Sequence, residues 1–298
     1  MDRQEWLAER RKGIGGSDAG AIVGLNKYKN AFDVYADKLG LLPEKEDNEA
    51  MRQGRDLEQY VAERFCEVTG KKVRRKNRIL HSEKYPFALA NIDRTIVGED
   101  AGLECKTSNV LSLKRYKNGE YPPEYYCQCM HYMAVTGAEK WYLAVLIFGK
   151  EFKIFTIERD EDEIAALMNA ERNFWENHVE KQIPPVPEGT DGNSDTISKL
   201  YPNSNGETIV FASDDLLRRA KEKSEEIKRL ETEKKQLEQE IKTILQDCER
   251  GEGTNYCVTW KSRSRELLDK KKLEADLGDI SKYTKISTSR YFEIKERD

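Results

Sequence analysis

Residues 90–108 read ANIDRTIVGEDAGLECKTS. Apolar and β-branched residues flank the run Gly98-Glu99-Asp100-Ala101-Gly102, which predicts two strands, 87–97 and 103–107, joined by a turn. Residues two apart on a strand share a face, so Glu104 and Lys106 point the same way. A turn centred between Gly98 and Glu99 sets Asp93 opposite Glu104. A slip by one residue sets it opposite Lys106. Either register gathers Asp93, Glu104 and Lys106 on one face. Two carboxylates collect a hard cation such as Mg²⁺ or Mn²⁺, and a nearby ammonium can orient or deprotonate an attacking water. The Cys105 carbonyl would face the same place from the main chain. An exposed hairpin with an ordinary ion pair would carry the same residues, so the neighbouring segments have to decide.

Working outward, residues 51–68 predict a helix with Leu57, Val61, Phe65 and Val68 in one apolar stripe and Gly70 as its stop. Gly54 and Glu58 share a face of it. A glycine there would let the helix approach the sheet and bring Glu58 to the carboxylates. A helix over 123–136 opens at Pro122–Pro123 and closes at Gly137; it carries Gln128 one turn from Tyr125 and Tyr132. Strands over 141–148 and 151–157 flank a Gly149–Lys150 hairpin turn, and a helix follows from Asp160 to about His178. Upstream, Asn30 caps a helix that ends at Gly40. Gly13, Gly15 and Gly16 precede Ser17, which suits an N-cap for a short helix over 18–23. A glycine turn entering a helix offers N–H groups to a phosphate, and Arg10 and Arg11 stand just upstream to clamp one. No GxxxxGK[ST] occurs. Strands clustered among helices predict an α/β or α+β core.

Three regions are expected: a domain over 1–183, a Pro-, Gly- and Ser-rich linker over 184–213, and a C-terminal part over 214–298. In the last, Leu216, Lys223, Leu230, Leu237 and Ile244 recur every seven residues. Ala220, Ile227, Lys234 and Ile241 interleave with them at spacings of three and four. This is a coiled-coil-like seam on a helix of about ten turns, imperfect because of its two lysines. Beyond it the pattern is strand (256–261), short helix (270–277), strand (289–295).

The chain has 298 residues, with 51 basic and 55 acidic side chains for a net charge of −4. No apolar run is long enough for a membrane span. MDRQEWLAERRKG has no apolar signal core. The six Cys form no CxxC pair, which argues against structural zinc and for a reducing, cytoplasmic setting. The acidic balance speaks against an indiscriminate polycation. Yet KKVRRKNR (71–78) and KSRSRELLDKKK (261–272) concentrate positive charge, and phosphate affinity follows local charge.

Five blocks together resemble the YqaJ-like viral recombinases, relatives of lambda exonuclease in the PD-(D/E)xK nuclease superfamily. They are Trp6 with Arg11-Lys12-Gly13-Ile14-Gly15-Gly16-Ser17, Gly54-x-x-x-Glu58, Asp93, Glu104-Cys105-Lys106, and the Gln128 helix followed by Trp141-Tyr142. The resemblance implies a restriction-endonuclease-like α/β core, with a central mixed sheet flanked by helices, followed here by the long helix and a small α+β extension. It implies that Asp93, Glu104 and the Cys105 carbonyl bind metal, with Glu58 as an accessory acid. Lys106 would activate water, and Gln128 would be the motif glutamine. Arg11, assisted by Ser17 or replaced by Arg10, would meet a DNA 5′-phosphate. Two Mg²⁺ or Mn²⁺ ions are implied; the scattered Cys predict no iron–sulphur cluster. The implied activity is 5′-to-3′ digestion of double-stranded DNA ends, leaving 3′ tails for a single-strand annealing protein. A homo-oligomer, a trimer by resemblance, is expected. A related endonuclease or nickase, and a non-catalytic DNA-binding or assembly module, are the rival readings.

Overall fold

A computed structural model describes residues 3–42, 47–76, 78–265, 269–278, 281–283 and 294. The chain divides into two compact units, Met1–Tyr201 and Pro202–Asp298.

In the first unit, α1 (Arg3–Arg11) leads through β1 (Ile14–Gly15) into α2 (Gly16–Ile22) and α3 (Ala31–Lys38), then the long α4 (Glu49–Thr69). Short strands follow: β2 (Val73–Arg75), β3 (Leu80–His81), β4 (Ala88–Ala90) and β5 (Arg94–Ile96). The central β6 (Ala101–Ser108) runs into a 3₁₀ segment, Val110–Tyr116, and α5 (Pro123–Thr136). The hairpin β7 (Lys140–Ile147) and β8 (Glu151–Glu158) precedes α6 (Glu161–Phe174) and α7 (Asp191–Leu200). The main sheet has the order β2-β5-β6-β7-β8, with β6 and β7 parallel and the other pairs antiparallel. Parallel neighbours need a crossover, and α5 supplies it. This is a mixed α/β fold with a central mixed sheet and flanking helices.

β7 shows why the sheet is sandwiched. Its sequence KWYLAVLI is apolar on both faces, as a strand covered on both sides requires. Trp141, Leu143, Val145 and Ile147 enter a core with α2, α5 and α6. Tyr142 and Ala144 enter a second core with Val61, Ala62 and Phe65 of α4.

Several expectations change. The strand expected over 87–97 is interrupted at Asn91–Asp93. Its first half, β4, pairs with β1 and β3 in a separate small sheet. β6 starts at Ala101, so Gly102 lies in the strand, where a Cβ would sit 2.2 Å from the Trp141 ring beside it. Val68 is exposed rather than part of the buried stripe. Gly54 has only Thr107 Oγ1 near its missing Cβ, at 3.9 Å, so no close approach needs it. Ser17 is exposed and lies inside α2; Gly15 is the N-cap. The expected linker contains α7, held to α3 by Asn193 Nδ2 donating to Asn30 Oδ1 (3.0 Å) and Thr196 Oγ1 to Asp33 Oδ1 (2.6 Å).

The second unit holds α8 (Asp215–Leu245), the hairpin β9 (Arg250–Glu252) and β10 (Cys257–Thr259), and α9 (Lys270–Leu277). α8 has 31 residues, shorter than expected, and ends at Gln246, before either Gly251 or Gly253. The strand expected over 289–295 lies outside the described residues apart from Ile294. Among the described residues no helix is long and apolar enough to cross a membrane.

Candidate active site

The break before β5 makes the site. β5 pairs with β6 in the register Arg94↔Leu103 and Thr95↔Gly102, which is the first of the two expected registers. The ladder stops there, one step short of Asp93 and Glu104. Asp93 takes over as a side chain: Oδ2 accepts the Cys105 N–H at 2.7 Å. A residue's N–H and C=O face the same neighbour in an antiparallel pair, so the Cys105 carbonyl turns to the Asp93 side as well.

Strand alternation then sorts the side chains. Glu104 and Lys106 face α5; Leu103 and Cys105 face α4. Glu104 is 3% exposed. Its Oε1 accepts from Lys106 Nζ at 2.6 Å and from Gln128 Nε2 at 2.7 Å. Gln128 spends its other amide N–H on Tyr132 Oη (2.9 Å), which donates to the Asn91 carbonyl (3.1 Å). Gln128 is thus buried and aimed at a carboxylate rather than at solvent. Lys106 Nζ lies 4.9 Å from the centre of the Tyr125 ring. Glu104 Oε2 is buried with no partner, although buried polar atoms are normally satisfied.

The electrostatics follow from burial and crowding. Burial and the Glu104 charge hold the Asp93 carboxyl well above the usual carboxylate range, against the pull of Lys106 and the Cys105 N–H. Burial disfavours the Lys106 ammonium, but Glu104, Tyr125 and Asp93 outweigh it and hold its pKa above the usual lysine range. Burial, followed by Asp93 and Glu104, pushes the Cys105 thiol up, so it is no nucleophile.

Glu58 reaches the site from the α4 side, where Arg94 engages it. Arg94 is 2% exposed. Nη1 donates to Glu58 Oε1 (2.5 Å) and the Asp93 carbonyl (2.7 Å), and Nη2 to Gln59 Oε1 (3.0 Å). Arg75 lies 3.7 Å from the same Glu58 oxygen. Among the described residues no three His, Cys, Asp or Glu side chains converge to hold a cation by themselves. The donor set is two carboxylates and a main-chain carbonyl, with one orphaned carboxylate oxygen. That fits Mg²⁺ or Mn²⁺, which bind through one or two carboxylates and keep several waters.

The N-terminal residues form a second cluster. Arg10 Nη2 donates to Ser17 Oγ (3.1 Å), and its guanidinium lies 4.7 Å over the Trp6 ring. Arg11 Nε is buried without a partner. The Gly15 N–H turns inward to Asp18 Oδ2 (3.2 Å) rather than outward to a ligand. Asp18 is fully buried between Lys29 Nζ (2.8 Å) and Lys38 Nζ (2.7 Å). Burial opposes its ionisation, but Lys29 and Lys38 hold its carboxyl well below the usual range. The two clusters meet through Tyr132: a Cβ on Gly16 would lie 2.6 Å from its ring, and its hydroxyl accepts from Gln128.

Arg94, Asp18, Lys38 and Tyr132 were not expected as site residues. Arg94 had a signal: it alternates with Ile96 toward an apolar face, where a cation needs an acid. Asp18 and Lys38 had none, because no spacing links them. Nor was a wholly buried pair foreseen: His131 Nδ1 lies 2.9 Å from Glu171, while Nε2 lies 2.8 Å from the Leu89 carbonyl, an acceptor that assigns it the proton.

Residues 5–139 match the YqaJ-like viral recombinase domain. The protein YqaJ of Bacillus subtilis (strain 168) is 41% identical over 303 residues, covering 99% of this chain and 95% of the relative. The chain belongs to the YqaJ-like viral recombinase family. Among solved structures it is similar to the alkaline exonuclease LHK-Exo of Laribacter hongkongensis. The TM-score is 0.52 at 21% identity, over 66% of this chain and all of that one. The structure of LHK-Exo in complex with dAMP matches equally, with a TM-score of 0.52 at 22% identity and the same coverage. At that identity the likeness speaks for a shared fold.

Proposed function

We propose that this member of the YqaJ-like family is a metal-dependent deoxyribonuclease that digests double-stranded DNA from its ends. The observation that carries this reading is Glu104. It is a buried carboxylate shared by Lys106 and Gln128, with its second oxygen unpartnered beside Asp93. That the structural neighbour LHK-Exo is an alkaline exonuclease, and is also seen in complex with dAMP, supports it.

Asp93, Glu104 and the Cys105 carbonyl would hold Mg²⁺ or Mn²⁺. When bound, such an ion lowers the pKa of water and offsets charge on the phosphate. Since Arg94 engages Glu58, the donors point to one ion rather than two. Lys106, kept protonated, donates to the attacking water or the phosphate oxygens and orients them. Gln128 fixes the Glu104 carboxylate so that its free oxygen faces the site. Water, giving up a proton to solvent, would then attack phosphorus; the bond from phosphorus to the 3′ bridging oxygen breaks, and that oxygen takes a proton from solvent and leaves as a 3′ hydroxyl. Arg10, Ser17 and Arg11 would hold a terminal 5′-phosphate, giving 5′-to-3′ polarity and a 3′ tail for an annealing protein. Homo-oligomerisation would keep the enzyme on its DNA.

The test is Glu104→Ala and Lys106→Ala on end-labelled duplex with Mg²⁺. Each should lose about three orders of magnitude in rate or more, since such a site acts as a unit. Digestion by both variants at the parent's rate would contradict the assignment.

A further inference from the structure

Between positions 71 and 81 the chain carries six lysines and arginines and no acid. The structure spreads them along the open edge of the main sheet, where β2 is the outermost strand. Two of the six are occupied: Lys71 engages Glu99, and Arg75 lies 3.7 Å from Glu58. Lys72, Arg74, Lys76 and Arg78 enter no ion pair among the described residues. Lys72, Arg74 and Arg78 are exposed, and Lys76 is half-buried. Acids of adjoining elements are already held: Glu58 by Arg94, Glu99 by Lys71, and Glu9 by Lys12. Glu83, in the loop after β3, is followed by Lys84.

Register places this row beside the candidate site. β2 pairs with β5 up to Arg75↔Arg94, and the next residues along are Lys76 and Asp93. The row therefore reaches the level of the metal-binding carboxylates. Strand alternation divides it. Arg75 turns with Arg94 to the α4 side and Glu58. Arg74, with Lys72 and Lys76 two positions away on either hand, turns to the other side, as do Glu104 and Lys106. Lys76 and Arg78 there line a shallow cleft with Val135 and Thr136 at the end of α5. Neighbouring strands are about 4.8 Å apart, so β2 stands roughly 10 Å across the sheet from β6. An uninterrupted row of unpaired cations fits a polyanion, whose bound counterions it releases. The polyanion that the carboxylates at the same level would cut is DNA.

We propose that Lys72, Arg74, Lys76 and Arg78 form a phosphate track that holds double-stranded DNA beside the Asp93–Glu104–Lys106 site, a role that rests on the nuclease reading. Contacts to the DNA backbone position a duplex without reading its sequence, as digestion from any end requires.

The experiment measures binding of the full chain to a fluorescein-labelled blunt duplex, in chelator and across a range of salt. Each lost phosphate contact lowers the slope of log affinity against log salt by about 0.9, so Lys76→Gln with Arg78→Gln should lower it by about two and weaken binding at least about tenfold. Lys72→Gln with Arg74→Gln should do the same. Lys76→Arg with Arg78→Lys keeps the charge and should keep the affinity, which separates lost charge from lost fold. Arg64→Gln with Lys140→Gln removes as much charge from α4 and from the start of β7, and should change neither slope nor affinity. A poly-glutamate peptide should fail to displace the duplex. Undiminished affinity and slope in both Gln pairs would overturn the proposal. So would an equal loss in the Arg64→Gln/Lys140→Gln protein, or displacement by poly-glutamate, which would make the row a general anion surface. The track and the nuclease reading fail separately. Intact binding in the Gln pairs, with digestion lost in Glu104→Ala, removes the track alone. Weakened binding in the Gln pairs, with digestion kept in Glu104→Ala, removes the catalytic assignment and leaves the track standing.

Discussion

Asp18 shows how one residue can organise a segment that reads as a glycine loop. It is the anion shared by the buried Lys38 and the half-buried Lys29, which Asp37 also approaches at 3.9 Å, and it takes the Gly15 N–H as well. Its carboxyl is held below the usual range, so the unfolded chain binds this proton more readily than the folded one. The stability it contributes is fully present above its unfolded pKa of about 3.9 and is lost as pH falls through the lower folded value. Asp18→Asn should therefore cost about 3 kcal/mol at neutral pH by leaving buried charge unpaired. It should also flatten the acid limb of stability below about pH 4. Urea unfolding of parent and variant across pH 3–7 measures both. The cluster of Asp93, Glu104 and Lys106 was legible from residues because strand period puts Glu104 and Lys106 on one face and the turn register sets Asp93 beside them. Asp18, Lys29 and Lys38 were not, since their proximity is made by α2 and α3 packing, which no local pattern encodes.

At the scale of elements, punctuation was the most readable signal. Asn30, Gly40, Gly70, Pro123, Gly137 and Asp160 all begin or end helices as their backbone chemistry requires. The break at Asn91–Asp93 was hidden because ALANIDRTIV keeps an apolar character across it. What ends the strand is a change of partner from β3 to β6, a tertiary event. α7 was missed because its buried residues, Asn193 and Thr196, are polar, so it shows no apolar stripe. Gly102 and Gly54 are opposite in kind. Gly102→Ala should destabilise by about 3 kcal/mol, because its Cβ would overlap the Trp141 ring. Gly54→Ala, with open space and a helical backbone, should stabilise by about 0.5–1 kcal/mol. Denaturant midpoints of the two variants give the comparison directly, and equal effects would contradict the packing described.

Over the whole molecule the net charge of −4 is an average of unlike regions. Acids and bases are mixed along α8 in one unit. In the other, Lys76, Arg78 and His81 line a shallow open cleft, and Arg10, Ser17 and Arg11 lie at the turn into α2. Local positive charge, not the total, governs how such a chain meets phosphate. The boundary between the two units falls at Tyr201, after α7. The central claim is that the Asp93–Glu104–Lys106 site hydrolyses DNA from an end. One measurement tests it most directly: purified full-length protein with Mg²⁺ on a 5′-labelled linear duplex and on a covalently closed circle of the same sequence. The account predicts early release of the 5′ label, an intact circle, and no release once the metal is chelated. Cutting of the circle, or undiminished digestion in chelator, would contradict it.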